Sequence, residues 1–182
     1  MDDTLVTIIG IITASIIMFI APLILIADRS DDISQLLVQT ATSDFVNEVI
    51  KTGKITLDNY QRFISSIQAS GNTYDIDMEV RILDETTSKM VTDNSHVVGN
   101  NTYYSIFTSQ VEDKLGISSQ ITDNNRTGQL ILKQGDLISV TVKNSSQTLS
   151  QLLKSLYNNV TIGDIQIIAA GSSGTINING AT

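Results

Sequence analysis

"LVTIIGIITASIIMFIAPLILIADRSDDISQLLVQTATSDFVNEVIKTG", Leu5 to Gly53, decides the fold. Its first 23 residues, Leu5 to Ala27, carry no charge, and nine of them are isoleucine. At about 1.5 Å of rise per residue, a helix of that length spans roughly 35 Å, enough to cross a hydrocarbon core of about 30 Å. A secretory signal peptide fits poorly, because it needs a basic start and an apolar run of only about 7 to 15 residues. The start here is Met1-Asp2-Asp3-Thr4. The run is expected to remain in the protein.

At Asp28 the stretch changes character. Ile33, Leu37, Ala41, Phe45 and Val49 recur every four residues, with Leu36, Val46 and Ile50 widening the stripe. Lys51-Thr52-Gly53 then supplies a basic last turn and a glycine stop. The expectation is one rod over residues 1–52, with 5–27 as a transmembrane or filament-core segment and an amphipathic half that needs a partner surface. Pro22 removes one backbone donor and predicts a kink or a loosened turn near Met18.

Thr7, Gly10, Ala14 and Ala21 fall at steps that place them on one helical face, and Gly10 to Ala14 is a small-xxx-small pair. Small side chains let helix backbones approach closely, which is how helices associate where water supplies no drive. A single-pass lipid anchor with incidental small residues accounts for the same run. Neither Trp nor Tyr marks either end of it, and Arg29 is the one nearby cation, so charge does not fix an orientation.

Residues 53–182 are expected to form one globular α+β domain. Thr56 can cap a helix whose Tyr60, Phe63, Ile64 and Ile67 share a face, ended by Gly71. In "YDIDMEVRIL", Ile76, Met78, Val80 and Ile82 alternate with Asp75, Asp77, Glu79 and Arg81, the period of a strand with one buried face. Tyr104, Phe107, Val111 and Leu115 suggest a helix ended by Gly116, and "QLILKQGDLISVTVK" suggests a β-hairpin about Lys133 to Asp136. Leu149, Leu152, Leu153, Leu156 and Tyr157 have helical spacing, entered through Thr148 or Ser150. The tail "IGDIQIIAAGSSGTINING" suggests two strands about a Gly-Ser turn. The predicted architecture is a long amino-terminal helix and short helices laid on a largely antiparallel sheet.

The chain carries 11 Lys and Arg against 19 Asp and Glu, for a net charge of -8. That balance disfavours nucleic acid and anionic lipid, whose phosphates are bound through Lys and Arg. Cysteine is absent, which removes disulfides and thiolate metal sites. His96 is the sole histidine, set in the polar stretch "DNSHVVGNNT" with no nucleophile elbow. Asp75, Asp77 and Glu79 could ligate a cation, but a solvated strand face opposite Ile76 and Met78 explains them more simply. Asp123-Asn124-Asn125 is rich in oxygen but lacks the spacing and terminal Glu of a calcium loop. No catalytic, metal or cofactor residue is expected, and no small-molecule substrate.

An apolar retained helix extended into an amphipathic half and followed by a sheet domain resembles the ground plan of pilins and pseudopilins. "FVNEVIKTGKITLDNYQRFISSIQASGNTYDIDMEV" is similar to TadE-like minor pilins of Gram-positive bacteria, in the order Thr52 to Thr56, Tyr60, Gly71, then Tyr74-Asp75-Ile76. "GDLISVTVKNSSQTLSQLL", Gly135 to Leu153, and the glycine-rich end also resemble that family. The resemblance departs at the start: pilins commonly carry a basic leader ending in Gly and a Glu early in the apolar helix, whereas the acids here are Asp2 and Asp3. It implies a filament subunit that polymerises with copies of itself, held in the cell membrane before assembly machinery extracts it into an extracellular filament. Thr7, Gly10, Ala14, Ala21, Pro22, Ile33, Leu37 and Phe45 are the expected packing and assembly residues. A membrane-anchored accessory protein of a secretion or conjugation apparatus, with the same fold and no polymer, is the alternative, and an anchored enzyme or binding protein is a third.

Overall fold

The computed structural model describes residues 2–83, 103–117, 128–158 and 168–178. Helix α1 (Asp2–Thr52) is a single α-helix of 51 residues that runs through Pro22 without interruption. Its rise of about 1.5 Å per residue makes a rod of roughly 75 Å. The stop at Gly53 is as expected: its φ of 66° is left-handed, and its N–H donates to the Val49 carbonyl at 2.8 Å.

Strand β1 (Lys54–Thr56) leads directly into helix α2 (Leu57–Gln68). The entry is a capping box: Asn59 N–H donates to Thr56 Oγ1 at 3.3 Å, and Thr56 N–H donates to Asn59 Oδ1 at 2.9 Å. Strand β2 (Tyr74–Leu83) coincides with the alternating stretch, Met78 and Val80 inward and Asp75, Asp77 and Arg81 outward. After it come β3 (Tyr103–Phe107), α3 (Thr108–Leu115), β4 (Gln129–Ile131), β5 (Leu137–Asn144), α4 (Leu149–Asn158) and β6 (Ala169–Thr175). The fold is α+β, with a four-stranded antiparallel sheet ordered β3-β2-β5-β6 and a separate antiparallel pair, β1-β4.

Three local expectations are corrected. Residues 129–143 do not form a hairpin: β4 pairs with β1, while β5 pairs with β2 and β6 in the other sheet. The cause is Asp136, which is 2% exposed. Its carboxylate accepts from Lys133 N–H at 2.7 Å and from Leu83 N–H at 2.9 Å, so the turn is tied to the end of β2 and redirects the chain. "AAGSSGT" is not a turn but β6 itself. Tyr104 to Phe107 belong to a strand, and the helix begins only at Thr108, whose Oγ1 is engaged by β2, accepting from Met78 N–H at 2.7 Å.

The small residues of β6 have a packing reason. A Cβ at Gly174 would collide with the Ile50 side chain of α1, and Ala170 on the same face is buried. Small side chains on this face let the long helix lie close against the strand. The core then fills from α1 (Val38, Phe45, Val46, Val49), α2 (Tyr60, Phe63, Ile67) and the inward faces of β2 and β5 (Met78, Val80, Ile138, Val140, Val142). Phe45 stacks on Phe63 with ring centroids 4.7 Å apart at 16°.

Candidate assembly surface

The first half of α1 stands apart from this core. Its most apolar 18-residue window has a mean hydropathy of 2.7 and none of it is buried, which makes α1 long and apolar enough to cross a membrane. Met18 and Phe19 are 79% and 75% exposed. Hydroxyl groups in this half turn back on their own helix: Thr7, Thr13 and Ser15 donate to the Asp3, Ile9 and Ile11 carbonyls at 2.7 to 2.8 Å. Their polarity is thereby satisfied internally, as lipid or a dry helix interface requires.

Thr7, Gly10, Ala14, Ala21 and Pro22 all lie on exposed parts of the rod. A Cβ added to Gly10 would meet no atom within 4 Å, so nothing among the described residues makes use of its missing side chain. The other three expected packing residues separate. Phe45 is 3% exposed and packs within the subunit, on Tyr60 and Phe63 of α2. Leu37 is half-buried against the core. Ile33 is 62% exposed, and Leu36 beside it 66%.

The apolar stripe therefore faces the core from Leu37 onward, with Phe45, Val46 and Val49 buried and Leu37, Ala41 and Ile50 packed against it, and departs from it at Ile33 and Leu36. The buried positions are Ala27, Asp31, Ser34, Val38, Thr42, Phe45, Val46 and Val49, and three of these are polar. Each polar one has a partner: Ser34 and Thr42 donate to the Ser30 and Val38 carbonyls, and Asp31 accepts from Thr148 Oγ1 at 2.6 Å. Satisfied polar groups can be buried, and burying them turns Ile33 and Leu36 outward.

Thr148 opens a polar junction between α4 and α1. Asp28 accepts from Ser150 Oγ and pairs with Lys154 Nζ at 2.7 Å. These two donors, Lys154 first, hold the Asp28 carboxyl below the ordinary aspartate range. No local pattern announces this junction, because its members are 117 or more residues apart.

Elsewhere among the described residues the side chains form no reactive constellation. Among the described residues no three His, Cys, Asp or Glu side chains cluster as metal ligands. Asp75 and Asp77 are exposed, and Glu79 accepts from Arg81 Nε and Ser105 Oγ at 2.8 Å each, which lowers its pKa, Arg81 being the larger cause. Tyr60 donates to Glu112 at 2.8 Å, and burial followed by that carboxylate pushes its phenol upward. His96 and Asp123 to Asn125 lie outside the described residues. No family model, curated protein or solved structure matches the chain.

Proposed function

We propose that this chain is a structural, pilin-like subunit, similar to TadE-like minor pilins, that is held in the cell membrane and polymerises into an extracellular filament through its amino-terminal helix. The observation that carries the reading is the division of α1. One uninterrupted helix is welded into an α+β domain by its second half and leaves its apolar first half largely exposed. Apolar surface of that extent must be removed from water, and lipid and then other copies of the same helix are the two environments that do so in turn.

Ile33 and Leu36 support the polymer over a lone anchor. They lie beyond Asp28, Arg29, Asp31 and Asp32, past the reach of the hydrocarbon core, yet they remain exposed on the rod. A neighbouring subunit can cover them where lipid tails do not reach. The test is negative-stain microscopy of sheared cell-surface material with mass spectrometry of the fibres. Intact chain as a main component of fibres supports the filament; chain recovered only from membranes supports the anchored accessory role instead.

A further inference from the structure

The domain does not simply hang from the end of the apolar span. Ile20 and Ile24, alone among residues 3–26, are half-buried while their neighbours are exposed. Helix α4 packs on α1, and its polar bonds fall at Asp28 and Asp31, just past the end of the span. Its partners step down the rod toward the apolar end, from Asp31 for Thr148 to Asp28 for Ser150 and Lys154.

The headgroup zone on each side of a bilayer is about 5 to 7 Å deep, which is four or five residues of helix. Counted from Ala27, where the uncharged run ends, that zone covers Ala27 to Asp31. The two carboxylates that α4 engages, Asp28 and Asp31, are the acids in it. Bonded to α4, they are paired or buried and no longer bare toward lipid. On α4 itself, Leu149 and Leu152 are 61% and 45% exposed, whereas Ser150, one residue from Leu149, is buried against α1. The helix is thus amphipathic twice over: a polar edge consumed by α1 and an apolar edge, Leu149 and Leu152, exposed among the described residues.

We infer that α4 is an interfacial helix that rests Leu149 and Leu152 on the bilayer surface beside the emerging span, fixing the height and tilt of the domain over the membrane. This rests on the reading that Leu5 to Ala27 enters a membrane. The surface it fits is a zwitterionic one, because the chain is acidic overall and Lys154, the cation of α4, is occupied by Asp28.

The absence of tryptophan from the sequence makes the test direct, since a single introduced Trp is the only one present. Full-length Leu152→Trp, Phe19→Trp and Phe107→Trp proteins are reconstituted into phosphatidylcholine vesicles with and without brominated acyl chains, bromine quenching Trp that lies within the bilayer. Phe107 is 58% exposed on β3, away from α4, and serves as the distant control. The expected result is loss of emission for Phe19→Trp and for Leu152→Trp, the latter greatest when bromine sits near the headgroups, and none for Phe107→Trp. Quenching of Phe19→Trp without quenching of Leu152→Trp overturns the interfacial helix while leaving the membrane span intact. Quenching of neither removes the span and α4's role together. A blue-shifted but bromine-insensitive Leu152→Trp assigns the Leu149–Leu152 edge to a second copy of the chain, which also overturns the proposal.

Discussion

The carboxamide of Gln35 satisfies both backbone groups of Ala169: its Nε2 donates to the Ala169 carbonyl at 2.7 Å, and its Oε1 accepts from the Ala169 N–H at 3.0 Å. Ala169 opens β6, the edge strand of the four-stranded sheet, so a side chain of α1 does there what a fifth strand would do. Gln35→Ala leaves a donor and an acceptor without partners at a partly buried edge. The expected cost is about 1–3 kcal/mol. It is measured as a lower unfolding midpoint by circular dichroism, and an unchanged midpoint removes the Gln35–Ala169 contact from the account of how α1 is held.

The start of α2 offers an independent measurement of local stability. Thr56→Ala removes the acceptor for Asn59 N–H and half of the capping box. Loss of about 0.5–2 kcal/mol is expected, while Thr56→Ser should lose only a fraction of that. Equal effects from the two substitutions would mean that the methyl group of Thr56, and not its hydroxyl, matters.

Acid should loosen the α1–α4 junction. The folded-state pKa of Asp28 lies below its ordinary value of 3.8, so its pairing with Lys154 and Ser150 contributes stability above that value. The contribution is lost as pH falls through the depressed folded-state pKa. Both partners are substantially exposed, so the effect is modest and weakened by salt. The protection factors of α4 amides, taken against the intrinsic exchange rate at each pH, should therefore fall below about pH 4 in the unmodified chain. In Asp28→Asn they should be reduced already at neutral pH, with less further change on acidification.

The outer face of β2 should be indifferent to its acids. Asp75→Asn and Asp77→Asn are expected to change stability by less than about 0.5 kcal/mol each, as exposed substitutions do. Calcium titration followed by the unfolding temperature checks the alternative, and a calcium-dependent rise that both substitutions abolish would make this face a cation site.

What the sequence disclosed and what it hid follow one physical division. The α1 rod, α2 and β2 were legible because a helix period, a cap and a strict alternation are written in consecutive residues. β4 and β5 were misjoined because Asp136, which reads locally as a turn residue, takes its decisive bond from Leu83, fifty-three positions away. β6 reads as a turn because Gly and Ser are ordinary loop residues; their role as a close-approach surface exists only once α1 lies over them. The stripe of α1 holds from Leu37 onward and fails at Ile33 and Leu36 for the same reason. Asp31 and Ser34 are buried by grace of partners that periodicity does not register, and the α4 junction at Asp28 was invisible altogether. The small-residue face of the span was legible, but whether it meets another helix depends on molecules outside the chain.

That face supports the sharpest experiment on assembly. Gly10 has open space where a Cβ would stand, and Ala14 and Ala21 are exposed on the same rod, so no contact within the subunit requires small residues there. If copies of α1 pack on this face, Gly10→Leu and Ala14→Leu place bulk where backbones must approach, and filament yield should fall sharply. Neither change lowers the apolar character of the run, so membrane insertion should persist. Ile8→Leu and Ile16→Leu conserve volume on the span and should assemble normally. Lipid tails have no fixed shape to clash with, so an anchor that never leaves the bilayer accepts all four substitutions alike. The quantity compared is the ratio of chain in sheared fibres to chain in membranes for each variant. Wild-type ratios from both bulky variants would discard the packing face, whereas membrane-retained, folded protein without fibres, restored to normal fibres in Gly10→Ala, would locate the subunit contact on it.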